Sequence, residues 1–228
     1  GIKKGDVVGI LSHNIPEFPI SLFAIWYLGG TVLLLDKNLT QFEYENMTAT
    51  TKCKIVCAEK SFFFKTDKFT FYDITKKDGK INPDLKPAAV ESLDYATMSF
   101  TSGSTGKPKV VPLTHFNMVE CTNSLESMAE WIRPGDFLYG FLPMYHVFGF
   151  GVEILATLHF GAGVLLQPTV NPKEIMADFK KFRPQIIPAV PRLWEVFRNK
   201  IIDNVKAQKK WWLVSFILKY GKTLQKIG

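Results

Sequence analysis

Nine of the twelve residues in "FTSGSTGKPKVV", Phe100–Val111, are Gly, Ser, Thr, Lys or Pro, and both ends are apolar. Gly103 and Gly106 free the backbone to turn successive N–H groups into one concavity, which suits anionic oxygens. Thr101, Ser102, Ser104 and Thr105 add hydroxyl donors, and Lys107 and Lys109 add positive charge. A triphosphate or pyrophosphate is the ligand this chemistry favours. A surface hairpin rich in turn residues is the plain alternative. The loop is not the P-loop of common NTPases. Thr101 stands where that pattern needs its first Gly, and Pro108 stands where it needs Ser or Thr for magnesium. The apolar runs "YATMSF" before it and "VVPL" after it predict that it joins two strands.

A second candidate is His146 in "LPMYHVFG". It follows an expected strand end, where open α/β sheets place their ligands. A core histidine satisfied by a carbonyl is the alternative. Tyr145 and Phe148 beside it suit an acyl pocket or plain packing equally. Trp194 is expected in the core, and His115 at a helix start.

The elements that must position these residues alternate from the start. "DVVGIL" (6–11) is a buried strand, and Asn14 with Glu17 reads as a capping box before a helix carrying Phe18, Leu22 and Ile25. Gly29-Gly30 stops that helix. "TVLLLD", a helix over 41–50 and "KIVCA" complete βαβαβ, which implies parallel strands with right-handed crossovers. The first turn lacks the dinucleotide G-x-G-x-x-G, so these strands read as scaffold. Residues 59–93 read as one or two strands, in one arrangement a hairpin, then a surface loop. Thr114 caps a helix with an inward stripe of Met118, Cys121, Leu125, Met128 and Ile132. After the turn "RPGD" come a strand "FLYGFLP", a buried helix "VFGFGVEILATLHF" and a strand "GVLLQ". Next is a helix opened by Asn171, Pro172 and Glu174, with Ile175, Phe179 and Phe182 inward. A strand "QIIPAV" leads into a helix from Pro191 carrying Trp194, Phe197 and Ile201. The expected division is 1–93 and 94–228, the second part carrying the phosphate loop.

Composition narrows the class. Of 228 residues, 46% are hydrophobic and 21% charged, which allows an ordinary core. The net charge of +7 is spread along the chain without a basic arm, so a solvated surface is expected and no nucleic-acid partner. The three cysteines, Cys53, Cys57 and Cys121, read as reduced thiols of a cytoplasmic protein. Cys53 and Cys57 are expected on one strand face as packing residues, and no zinc set forms around them. No apolar run reaches the roughly 18 residues that span a bilayer. "WWLVSFIL", Trp211–Leu218, reads as a buried or subunit-facing turn, with a helix lying peripherally on a membrane as the alternative. Oligomeric state is not legible.

"TSGSTGKPK" with "VPLTH" and "FLPMYHVFGF" resembles the signature motifs of the AMP-forming adenylating enzymes, the superfamily of acyl-CoA ligases, luciferases and peptide-synthetase adenylation domains. "RPQIIPAVPRLWE" is most similar to the long-chain fatty acyl-CoA ligase branch, and the resemblance runs from the first strand to about Phe197. It implies an α/β fold of parallel and mixed sheets flanked by helices, part of the large N-terminal domain of an acyl-adenylate-forming enzyme. It implies that a fatty acid and Mg-ATP give acyl-adenylate and pyrophosphate, and that coenzyme A then displaces AMP. By matching positions, Thr101, Ser102, Gly103, Ser104, Thr105, Gly106 and Lys107 would hold the ATP phosphates. Lys109 and His146 would be catalytic, and Tyr145, His146 and Phe148 would line the substrate site. No residue here is a metal ligand, except that Thr105 could approach Mg-ATP. One departure is Val110, where the family usually has Gly. The family's Tyr-Gly-x-Thr-Glu and Thr-Gly-Asp motifs and its C-terminal domain with a catalytic Lys are absent from these residues. The chain is therefore expected to be an internal piece of a longer ligase, inactive alone. Within the superfamily, acyl carrier protein as acceptor or another carboxylate is the alternative. A non-catalytic nucleotide- or acyl-binding module and a structural interaction domain are the readings from other classes.

Overall fold

Alternating apolar residues in short strands give each strand two faces, and the first three strands use both. In the computed structural model, which describes residues 1–77, 79, 82–101, 109–168, 171–209, 211, 212, 214 and 215, β1 (Val7–Leu11) lies between β2 (Thr31–Leu34) and β3 (Ile55–Ala58). Both neighbours are parallel to it, with Val8 opposite Val32 and Gly9 opposite Val56. Helix α1 (Glu17–Tyr27) buries Phe18, Leu22 and Ile25 against Val8, Ile10, Val32 and Leu34. Helix α2 (Gln41–Thr51) buries Tyr44 and Met47 on the other face, against Leu11, Leu33, Val56 and Ala58. Thr40 and Glu43 form the capping box that starts α2.

The sheet grows outward to six strands in the order β4-β3-β1-β2-β5-β6. Strand β4 (Thr70–Asp73) is parallel to β3, so the described residues of 59–93 hold one strand and no hairpin to it. Its aromatic neighbours explain this. Phe64, Phe69 and Phe71 interlock edge to face, with ring centroids 5.0 to 5.8 Å apart, and extend the α2-side core. Strand β5 (Tyr95–Thr101) is parallel to β2, and β6 (Lys109–Thr114) is antiparallel to β5. Residues 93 and 94 thus lie between two strands of one sheet. Cys53 precedes β3 and packs on the α2 side, whereas Cys57 packs on the α1 side, so the pair does not share a face. Burial raises their thiols to about 11 and about 12, consistent with packing residues.

Thr114 caps α3 (His115–Asn123) through a reciprocal box with Asn117. The expected stripe outlasts this helix. Residues Ser124–Met128 tighten into a 3-10 turn, and only Met118 and Ile132 of the stripe are fully buried. A second, two-stranded parallel sheet pairs β7 (Phe137–Gly140) with β8 (Gly163–Leu166). Between them runs one helical rod: α4 (Val147–Gly149), a π-helical segment (Phe150–Ala156) and α5 (Thr157–His159). Helix α6 (Pro172–Phe182) starts with Asn171 capping Lys173 N–H, buries Ile175, and leaves Phe182 exposed. Tyr139 donates to Asp178 at 2.8 Å and ties α6 to β7. "QIIPAV" makes a single bridge, Ile186 to Leu138, in place of a strand, because Pro188 offers no N–H to continue the ladder.

Two compact units are present, Gly1–Pro188 and Ala189–Gly228. In the second, α7 (Pro191–Ala207) carries Trp194 and Ile201, both exposed, so the expected burial of Trp194 is not found. Trp194 instead meets Phe197 edge-on at 6.0 Å.

Candidate functional site

Parallel strands put their carboxyl ends on one edge of the sheet, and the following loops meet there. Ser12 to Asn14 follow β1, Leu35 to Asn38 follow β2, Glu59 follows β3, and β5 ends at Thr101. The phosphate-loop motif leaves this edge. Strands β5 and β6 run in register from Phe100 opposite Val110 to Thr101 opposite Lys109. Residues 102–108, which include Ser102, Gly103, Ser104, Thr105, Gly106 and Lys107, lie outside the described residues. Strand β5 is anchored from behind. Trp26 Nε1 donates to Ala96 O at 2.7 Å, and Thr31 Oγ1 donates to Tyr95 O at 2.9 Å. Thr101 and Lys109 are exposed, and no ion pair joins Lys109 to another described residue. Its ammonium is thus available to an anionic ligand at the last described rung of the β5–β6 ladder. Val110 occupies an extended, half-buried ladder position, a conformation β-branched residues favour.

The second cluster lies on the turn from β7 to α4. His146 has extended backbone at the start of α4 and an exposed side chain. Its ring centroid is 4.7 Å from that of Tyr145. Tyr145 is buried in the α1-side core, and its hydroxyl receives a 3.3 Å hydrogen bond from Asn38 Nδ2. Burial first, then Asp36, push its phenol well above the usual range. Phe148 is 52% exposed and takes no part in this core. The structure therefore brings Thr101 to Lys109 and Tyr145 to His146. No hydrogen bond, ion pair or ring contact joins the two pairs among the described residues.

Sequence reasoning missed the residues that hold this turn. Asn14 does not cap α1, whose first turn has Pro16 at its N-cap and no side-chain cap. Its Nδ2 instead donates to Leu142 O at 2.7 Å, and its Oδ1 accepts from Met144 N at 3.3 Å. Glu153, in the π-helical segment, is fully buried and accepts from Leu142 N at 2.6 Å through Oε1. Burial raises its carboxyl to about 8, opposed by the backbone N–H groups of Leu142 and Phe141. Glu153 had a signal, a lone acid inside the apolar run "GVEILA". Asn14 had none, because its partners lie 128 and 130 residues away. His13 also pairs at this edge, with its Nδ1 3.0 Å from Glu59 Oε1. His115 opens α3 as expected and meets Trp26 edge-on at 5.5 Å. Among the described residues no group of three or more His, Cys, Asp or Glu is placed to hold a metal ion.

The parallel-dominated α/β sheet and the Thr101–Lys109 hairpin fit an enzyme class that the sequence also marks: the chain belongs to the AMP-binding enzyme family, whose model matches residues 1–216. Among curated relatives, 4-coumarate–CoA ligase CCL1 of Humulus lupulus is 26% identical over 219 residues, covering 84% of this chain and 39% of the relative. A long-chain-fatty-acid–CoA ligase of Bacillus subtilis is 23% identical over 240 residues, covering 85% of this chain and 43% of the relative. The chain thus spans about 40% of the length of these relatives. Among solved structures, the inhibitor-bound N-terminal domain of FACL13 from Mycobacterium tuberculosis has a TM-score of 0.78 at 23% identity, covering 87% of this chain and 53% of that one. The o-succinylbenzoate CoA synthetase of Bacillus subtilis, solved with its acyl-adenylate intermediate, has a TM-score of 0.76 at 22% identity, covering 87% and 52%. These likenesses give the fold: a mixed α/β, parallel-dominated sheet flanked by helices, as in the N-terminal domain of adenylate-forming enzymes.

Proposed function

We propose that the intact protein is an ATP-dependent acid–thiol ligase of the cytoplasm, with a long-chain fatty acid as substrate. It forms acyl-AMP and pyrophosphate, then passes the acyl group to coenzyme A with release of AMP. The observation that carries this reading is the β5–β6 hairpin, which closes the Ser/Thr/Gly loop on Thr101 and Lys109 and leaves the Lys109 ammonium unpaired among the described residues. A carboxylate oxygen attacks the α-phosphorus of ATP, and negative charge develops on departing pyrophosphate. Donors fixed in place before the reaction stabilise that charge without reorganisation. Thr101, the loop residues 102–107 and Lys109 supply them, with residues 94–228 as the part bearing this site. Magnesium would accompany ATP and offset phosphate charge, and Thr105 is the loop residue that could approach it. His146, with Tyr145 and Phe148, faces the acyl carboxylate and adenylate.

The fatty-acid branch rests on "RPQIIPAVPRLWE" and is supported by likeness to the Bacillus subtilis long-chain ligase. The coumarate ligases among the relatives favour a second reading, an aromatic carboxylate in the same pocket. Pyrophosphate release by the intact protein with Mg-ATP and carboxylates from acetate to oleate, plus coumarate, separates the two. Release that grows with chain length supports the first. Release with coumarate alone supports the second, and none with any acid removes both. No helix of the described residues is long and apolar enough to cross a membrane. Peripheral contact through Trp211–Leu218 is part of the proposal, supported by the exposure of Trp212 at 69%. Liposome flotation that is unaltered by W211S/W212S removes that part.

A further inference from the structure

The turn from β7 to α4 is held by two buried side chains, Asn14 and Glu153. Leu142 has both peptide groups gripped: its N–H by Glu153 Oε1 at 2.6 Å and its C=O by Asn14 Nδ2 at 2.7 Å. Two positions on, Met144 N–H is held by Asn14 Oδ1 at 3.3 Å. Asn14 therefore spans Leu142 to Met144 as a neighbouring strand would, from the loop that follows the central strand β1. The grip is dry. Asn14 is 8% exposed, Glu153 0% and Met144 1%. A hydrogen bond lost here leaves its partner unsatisfied, which costs more than the bond itself contributes. Immediately beyond the gripped residues come Tyr145 and His146. The His146 N–H closes back on Pro143 O at 3.0 Å, and its carbonyl starts the rod through Phe150 N at 2.9 Å. The His146 backbone is thus tied to the gripped stretch both through the chain and through its own hydrogen bond to Pro143.

We propose that Asn14 and Glu153 are positioning residues that latch the 142–146 turn and so set the place of His146 at the acyl-carboxylate site. This rests on the functional reading above. The latch joins the carboxyl end of β1 to the π-helical segment through the two peptide groups of one residue, Leu142. It leaves the β5–β6 hairpin untouched, so it governs the carboxylate and not the ATP phosphates. Displacements near 1 Å at a reacting centre cost up to about 100-fold.

The test uses the intact protein. Asn14→Asp keeps the volume and one acceptor but removes the donor to Leu142 O. Glu153→Leu removes the acceptor for Leu142 N–H, and Glu153→Gln retains it. Steady-state pyrophosphate release gives KM for the carboxylate and for ATP separately. Hydrogen exchange reads the amides of Leu142, Met144 and His146. Thr48→Val, which loses the buried bond to Tyr44 O on the far side of the sheet, is the stability control. The expected result is a carboxylate KM raised about 10- to 100-fold in Asn14→Asp and Glu153→Leu. ATP KM stays level, exchange at 142–146 is faster, and Glu153→Gln keeps the parent's carboxylate KM without faster exchange. An unchanged carboxylate KM overturns the proposal, as does a change that the Thr48→Val control shares or an ATP KM that rises in step. If the parent releases no pyrophosphate, the functional reading falls by itself. Exchange then judges the latch alone, and unaltered protection at 142–146 removes that too.

Discussion

Thr101 and Lys109, the first and last residues of the phosphate-loop motif, face each other across the final rung of the β5–β6 ladder. The pairing fixes where the loop begins and ends. It also separates the chemistry of Lys109 from the stability of the fold, because the side chain is exposed. Lys109→Ala should lower kcat/KM for pyrophosphate release by about 100- to 1000-fold, the range for losing one preorganised donor to a developing anion. The melting temperature should hardly move, since exposed substitutions stay within about 0.5 kcal/mol. A large loss of stability with intact turnover would reverse the assignment.

Val110→Gly tests the departure from the family pattern. Val110 is half-buried opposite Phe100 in regular extended backbone. Glycine there gives up packing and adds unfolded-state freedom, a cost of about 0.5–1 kcal/mol. A thermal melt should record that loss while pyrophosphate release stays at the parent rate. A clear gain in turnover would mean that the valine restrains the loop.

The sequence carried the local decisions of this fold well. Thr114 caps α3, Phe18, Leu22 and Ile25 face inward, and two extended runs bracket the phosphate loop, as their spacing implies. Each of those signals sits within a few residues of its effect. Nonlocal partners were not legible. Asn14 has the spacing of a capping box with Glu17, yet its amide serves Leu142 and Met144, because a buried peptide without a partner costs more than an uncapped exposed helix end. "FTFYD" reads as a strand that could stand alone or belong to a hairpin, and only the fold shows that β3 takes it as a parallel neighbour. Likewise, no local pattern says that the stripe after Asn123 tightens into a 3-10 turn.

Gly149 lets α4 begin directly over the turn. A Cβ there would overlap Pro143 O, and the backbone on both sides is already bonded. Gly149→Ala should cost about 1–3 kcal/mol, as other overpacked sites do. Because the overlap falls on the turn bearing His146, the carboxylate KM should rise with it. Denaturant melts and the same two-substrate kinetics check both halves. An alanine variant as stable as the parent would show that the turn yields freely.

Glu153 gives the molecule a pH signature. Its carboxyl is raised from 4.5 to about 8 in the fold by burial, with no charged group among the causes. Below pH 4.5 folded and unfolded chains both hold the proton, and its contribution is full. Between pH 4.5 and about 8 the folded chain keeps a proton that the unfolded chain has lost. Stability therefore falls as pH rises, by up to about 1.4 kcal/mol per unit. Above about 8 both forms are ionised, and this loss is complete. Glu153→Gln copies the protonated form and still accepts from Leu142 N–H, so it should remove the slope. Urea midpoints at pH 5, 7 and 9 should show the variant close to the parent at pH 5 and more stable by a widening margin at pH 7 and 9. The m-values should stay equal, because the surface exposed on unfolding is unaltered. Parallel curves for the two proteins would mean that Glu153 is ionised in the fold throughout, and that the buried Oε2, which has no hydrogen-bond partner, is solvated in solution.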